Sequence, residues 1–100
     1  MTNDTRPFEF TLEQMRAKMA EVGIPEYMHE GMIMYIGRGI KPGSFLSAVL
    51  RNDLRSACHC ADSTNRHLLF EYVFFLYNYA PGGCWGSEEK FEAWNGMQQS

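Results

Sequence analysis

Two groups of side chains in this 100-residue chain carry the residue types and spacing for chemistry. The first is Cys58-His59-Cys60 with His67 and Cys84, thiols and imidazoles of the kind that hold zinc. Zinc needs four such ligands converging tetrahedrally. On a helix, residues two apart point about 200° away from each other. Cys58 and Cys60 therefore cannot share one ion unless the helix ends between them. Cys58 also falls on an apolar stripe, where a small buried thiol is expected. The expectation is core and surface cysteine, with no metal and no cofactor. The second group is basic: Arg38, Lys41, Arg51 and Arg55. Arg38 and Lys41 sit in a glycine-rich run that feeds a helix opening at Ser44. A helix N-terminus offers free N–H groups and a partial positive charge to an anion. Arg51 and Arg55 fall one and two turns further along. The functional reading is a contact for phosphates or for an acidic protein patch; the plain reading is a solvated helix face balanced by acidic neighbours. No P-loop or dinucleotide-binding pattern accompanies the group.

Other constellations are weaker. Cys84-Trp85 superficially matches the Cys-Trp of papain-like proteases, but a nucleophilic Cys needs a nearby His and an activating environment. Here the following helix opens only at Ser87, and the chain is too short for that two-domain fold. Arg51, Asn52 and Arg55 could reach base edges from a helix-turn-helix. The net charge of −3 leaves too small an electrostatic footprint, so direct nucleic-acid binding is not expected. Phe70, Phe74, Tyr77 and Tyr79, with Tyr27, Tyr35 and Trp85, form an aromatic excess. These rings read first as core filling and second as anchors for a partner.

Helices must position these groups. Thr11 with Gln14 makes a capping box, and Leu12, Met15, Met19 and Val22 recur at helical spacing up to the stop at Gly23. Pro25 suits the first position of a second helix, striped by Met28, Met32, Tyr35 and Ile36. Residues 37–43 read as a loop. Ser44 is expected to cap a third helix whose core face runs unbroken through Leu46, Val49, Leu50, Leu54, Ala57, Cys58 and Ala61. Asp62 or Ser63 is expected to cap a fourth, running to Ala80. Its two apolar faces would make it either central or partly buried in an oligomer. Pro81-Gly82-Gly83 breaks the chain, and Ser87 caps a short fifth helix ending at Gly96, with Phe91 and Trp94 inward.

The totals agree with one small domain. Hydrophobic residues make up 45% and charged residues 21%, ordinary for a globular chain. Charge is uneven: residues 1–37 hold three basic and six acidic side chains, 38–66 five and two, and 67–100 one and four. The polar start MTNDTRPFEF lacks the apolar core of a secretion signal, and the most apolar run, 68–80, is too short to span a bilayer. Three cysteines, an odd number, read as free thiols in a reducing cytosol.

The blocks Gly39-Ile40-Lys41-Pro42-Gly43-Ser44-Phe45-Leu46-Ser47-Ala48-Val49-Leu50-Arg51-Asn52-Asp53-Leu54, Ala61-Asp62, Asn65, Leu76-Tyr77-Asn78-Tyr79-Ala80-Pro81, Cys84-Trp85-Gly86-Ser87-Glu88-Glu89-Lys90 and Trp94 resemble a family of small, mostly uncharacterised proteins of bacteriophages and prophages of Gram-negative bacteria. The likeness covers roughly residues 24–95. It implies a setting rather than a reaction: small accessory phage proteins often bind host machinery or block host defences, including CRISPR systems.

The combined expectation is an all-α, compact, bundle-like single domain of about five helices over residues 11–97, with a flexible segment at 1–10. Its expected role is a non-enzymatic phage accessory protein in the cytoplasm of the bacterial host. It would bind and block a host protein or defence complex, with a possible homo-oligomer and no membrane contact. Two alternatives stay open: an oligomeric binder of an anionic nucleotide signal, and a small nucleic-acid-binding regulator.

Overall fold

Thr11 opens the first helix as its sequence predicts. Its hydroxyl accepts the Gln14 N–H at 3.1 Å while the Gln14 side chain accepts the Thr11 N–H at 2.9 Å. The computed structural model describes residues 10–97, so all but the last residue of the flexible segment expected at 1–10 lies outside the described residues, as do residues 98–100. Phe10, assigned to that segment, packs edge-on against Tyr79 with ring centroids 5.4 Å apart. Helix α1 spans Leu12–Val22 and buries Met15 and Met19. It stops at Gly23, where the Ile24 N–H reaches back to the Met19 carbonyl.

Pro25 does not begin the second helix; it precedes a 3₁₀ turn, Glu26–Met28, which leads into α2, His29–Arg38. Gly37 and Arg38, expected in a loop, form the last residues of α2. The end of α2 is finished by the distant C-terminal segment. Trp94 Nε1 donates to the carbonyls of Tyr35 and Ile36 at 3.0 and 3.1 Å, and the Met97 N–H donates to Ile36 at 2.9 Å. Backbone meets backbone at this crossing. A Cβ on Gly39 would lie 2.7 Å from the Asn95 carbonyl carbon, and one on Gly96 2.5 Å from the Gly37 oxygen.

The expected long third helix is two short ones, α3 (Ser44–Leu50) and α4 (Leu54–Cys60). Asn52 adopts φ +64°, with its N–H on the Val49 carbonyl and the Asp53 N–H on the Ala48 carbonyl. That is a Schellman ending with Asn in the place glycine usually takes. Asp53 then restarts the chain by accepting the Ser56 N–H at 3.1 Å. The core face breaks with it: Leu54 is 67% exposed and Cys58 is exposed, while Ala57 stays buried. Gly43 rather than Ser44 occupies the N-cap position of α3.

Neither Asp62 nor Ser63 caps the aromatic helix: Asp62 accepts the Asn65 N–H ahead of a 3₁₀ turn, Asn65–His67, and the aromatic helix begins later as α5, Leu69–Tyr79. The chain then passes through a 3₁₀ turn at Gly82–Cys84 to α6, Glu88–Ala93, capped by Ser87 as expected. The described residues contain no strand, and the fold is all-α. Helix α1 packs on α2 and α5, while α3 packs on α4 and α6. Every residue from Phe45 to Leu50 is buried, so α3, not the aromatic helix, forms the centre. One hydrophobic core joins all six helices, and the radius of gyration of 12.6 Å is that of a single compact domain of this length.

Candidate functional site

The start of α3, the Glu26–Met28 turn and the chain from Cys60 to Asn65 enclose an open pocket of about 340 Å³. Its apolar walls include Met28, Pro42, Phe45 and Leu46, and its polar end is formed by Tyr27, Asp62, Asn65, Ser44 and Cys60. This size and mixture suit a small-molecule site.

The polar end is a connected chain of hydrogen bonds. Asn65, almost wholly buried, accepts from the Tyr72 hydroxyl at 2.6 Å and donates from Nδ2 to the Tyr27 hydroxyl at 3.5 Å. Tyr27 in turn donates to Asp62 Oδ2 at 2.7 Å, and Asp62 Oδ1 accepts the Asn65 N–H at 2.7 Å. The backbone N–H of Asn65, and then the Tyr27 hydroxyl, hold the Asp62 carboxyl below its ordinary range, so it is ionised at neutral pH. Burial pushes the Tyr72 hydroxyl well up, and it stays a protonated donor. Periodicity points to none of this. Asp62 reads as a cap and Tyr27 as one ring among many, and only folding brings them together.

The four basic candidates separate. Lys41 Nζ lies 4.8 Å from the Phe91 ring centroid and the Arg51 guanidinium 5.9 Å from it, so these two converge on one ring. Arg51 also pairs with Asp53 at 3.4 Å. Arg38 ends α2 beside the C-terminal crossing, and Arg55 sits in α4 beyond the Asn52 break. Arg51 and Arg55 are thus not on one continuous helix face as the spacing implied. Arg38, Lys41 and Arg55 are exposed, and none of the three has an ion-pair partner among the described residues.

The cysteines also separate. Cys58 and Cys60 are exposed near the end of α4, whereas Cys84 is fully buried. Burial pushes the Cys84 thiol up to about 12, which suppresses the thiolate a nucleophile requires. Among the described residues no group of three or more His, Cys, Asp or Glu side chains is placed to hold a metal ion.

Helix α5 presents the second candidate surface. Tyr72, Phe75 and Leu76 are completely buried. Phe70, Val73, Phe74 and Tyr77 face the other way, exposed by 73, 45, 40 and 78%. They recur at i, i+3, i+4 and i+7, a continuous helical stripe. Core filling accounts for Tyr35, which is buried with its hydroxyl on the Cys84 carbonyl at 2.7 Å, but not for these four. No helix among the described residues is long and apolar enough to cross a membrane.

Comparison with protein-family models, with curated proteins and with solved structures gives no match to this chain.

Proposed function

We propose that this protein is a non-enzymatic binding module that acts by occupancy, presenting the outer face of α5 to a partner protein. The observation that carries the proposal is the stripe Phe70, Val73, Phe74 and Tyr77, uncharged and exposed on an otherwise well-filled domain. Four neighbouring apolar side chains over two helical turns form a patch rather than scattered exposure, and such patches mark interaction sites. Aromatic rings supply the rigid, large anchors that interface centres favour. The resemblance to small phage proteins supports a host protein or defence complex as the partner, met in the cytoplasm of the bacterial host.

A second occupant is favoured by the same uncharged face: another copy of the chain, since two such stripes meet without like-charge repulsion. The anionic-nucleotide reading has less support, because the Lys41 and Arg51 head groups lie against Phe91 and Arg51 is paired with Asp53.

The test is affinity capture from host lysate, followed by mass spectrometry and rebinding of the purified partner. Wild type is compared with the double variant Phe70→Ser, Tyr77→Ser and with Arg51→Glu, Arg55→Glu. Recovery should fall at least tenfold for the aromatic variant alone, with circular dichroism unchanged. Equal recovery by all three proteins removes the α5 face from the mechanism. Light scattering across a concentration series decides for self-association if mass doubles in wild type and not in the aromatic variant.

A further inference from the structure

The pocket beside α3 is remote in chemistry from the α5 stripe and is independent of the partner reading. Its polar end is rich in acceptors. A carboxylate offers roughly four acceptor positions. Asp62 accepts from Tyr27 and from the Asn65 N–H, with the Thr64 N–H and the Asn65 side chain also against it, and it belongs to none of the three ion pairs among the described residues. No Lys, Arg or His lines the pocket. The nearest Lys or Arg in sequence, Arg66, is exposed and does not pair with Asp62. The Tyr27 ring, 62% exposed at the lip, offers a π-face that favours a cation. The opposite walls, Met28, Pro42, Phe45 and Leu46, suit a hydrocarbon body. Gly31 lines that wall at close quarters: a Cβ there would already touch Leu46 and Pro42 at 3.4 and 3.9 Å, so a larger side chain would intrude on the apolar side.

We propose that this pocket binds an organic cation, an ammonium or guanidinium group on an apolar stem, with Asp62 and the Tyr27 ring taking the charge. The stem lies against Met28, Phe45 and Leu46. A free amine and a Lys or Arg side chain of a bound peptide share this chemistry. The first residues of α3 line the same pocket, so an anion is the rival ligand.

The experiment titrates ¹⁵N-labelled full-length protein at low salt with three probes of one shape: phenethylamine, neutral 2-phenylethanol and anionic 3-phenylpropionate. A capped Arg-containing tripeptide forms a fourth arm. Amine titration should shift the amides of Tyr27, Ser44 to Leu46 and Asn65, with at least tenfold weaker binding of the neutral probe and none of the anion. Saturation by the amine alone identifies a free-amine site, and saturation by the peptide alone identifies side-chain capture. Asp62→Asn keeps an oxygen to accept the Asn65 N–H and should weaken amine binding at least tenfold. Gly31→Leu, which fills the apolar side without touching the carboxylate, should abolish it and decides the matter if Asp62→Asn is misfolded. Equal or tighter binding of 3-phenylpropionate, no response to any probe, or unchanged amine affinity in a folded Asp62→Asn overturns the proposal. Phe70→Ser, Tyr77→Ser should leave the titration unchanged, so failure of the α5 reading and failure of this one remain distinguishable.

Discussion

The two faces of α5 are built from the same residue types and do opposite things. Inward, Tyr72, Phe75 and Leu76 are fully buried; outward, Phe70, Val73, Phe74 and Tyr77 lie open to solvent. Hydrophobicity along the sequence cannot tell the faces apart, because what separates them is coverage: the inner residues join the common core, with α1 packed on α5 and the Phe45 ring of α3 against Tyr72. The contrast shows that an apolar residue is a core residue only where another element arrives to cover it.

The largest effect should come from breaking the inner face. Phe75→Ala removes a fully buried ring and should cost about 3–5 kcal/mol, read as a lowered urea midpoint with an unchanged slope. For a domain of this size each kcal/mol lowers Tm by roughly 4–8 °C. A loss below about 1 kcal/mol would mean that the inner face is not the core. Tyr72→Phe sharpens the same comparison with one atom. Its hydroxyl is the donor to Asn65 Oδ1, and without it a buried acceptor is left unpaired, at a cost of about 1–3 kcal/mol. A neutral outcome would show that water replaces the hydroxyl from the pocket side.

The outer face should respond in the opposite way. Phe70→Ser and Tyr77→Ser each change stability by no more than about 0.5 kcal/mol, since they uncover nothing new. Solubility should rise. A stability loss comparable to that of Phe75→Ala would mean that the stripe is covered in solution by another copy, and that loss would depend on protein concentration.

Much of the frame was legible in the sequence, and the failures have one physical origin. Thr11, Gly23 and Ser87 act locally, through hydrogen bonds to residues within five positions, so their roles can be read directly. Asn52-Asp53 is also local but hid behind a helical spacing of apolar residues that continues across the break. Asn at a left-handed position followed by Asp at a cap is a stop and a start in adjacent residues. The pocket was less accessible still. Tyr27 and Asp62 are 35 residues apart, and Asn65 reads as a polar turn residue until Tyr72 is seen to hold it inside. The basic group shows the converse: Arg51 and Arg55 look like one surface in sequence and are divided by the Asn52 turn.

The smallest effect is electrostatic and tests the link between the inner face and the pocket. The Tyr72–Asn65–Tyr27–Asp62 chain ends on a carboxyl held below its ordinary value of 3.8, chiefly by the Asn65 N–H. A group with a depressed folded value binds its proton more tightly in the unfolded chain. Its contribution is therefore complete above the ordinary carboxylate range and is lost as pH falls through the folded value. Asp53, lowered by the Ser56 N–H, behaves the same way and serves as a control outside the pocket. Urea midpoints of wild type should fall between pH 5 and 2, as carboxylates with depressed values do generally. Asp62→Asn should start lower at neutral pH and fall less steeply, and Asp53→Asn should do likewise. If Asp62→Asn alone tracks the wild-type slope, Tyr27 and the Asn65 amide do not hold its charge in solution. The chain of hydrogen bonds from α5 would then stop at Asn65, leaving the pocket's polar end mechanically separate from the core.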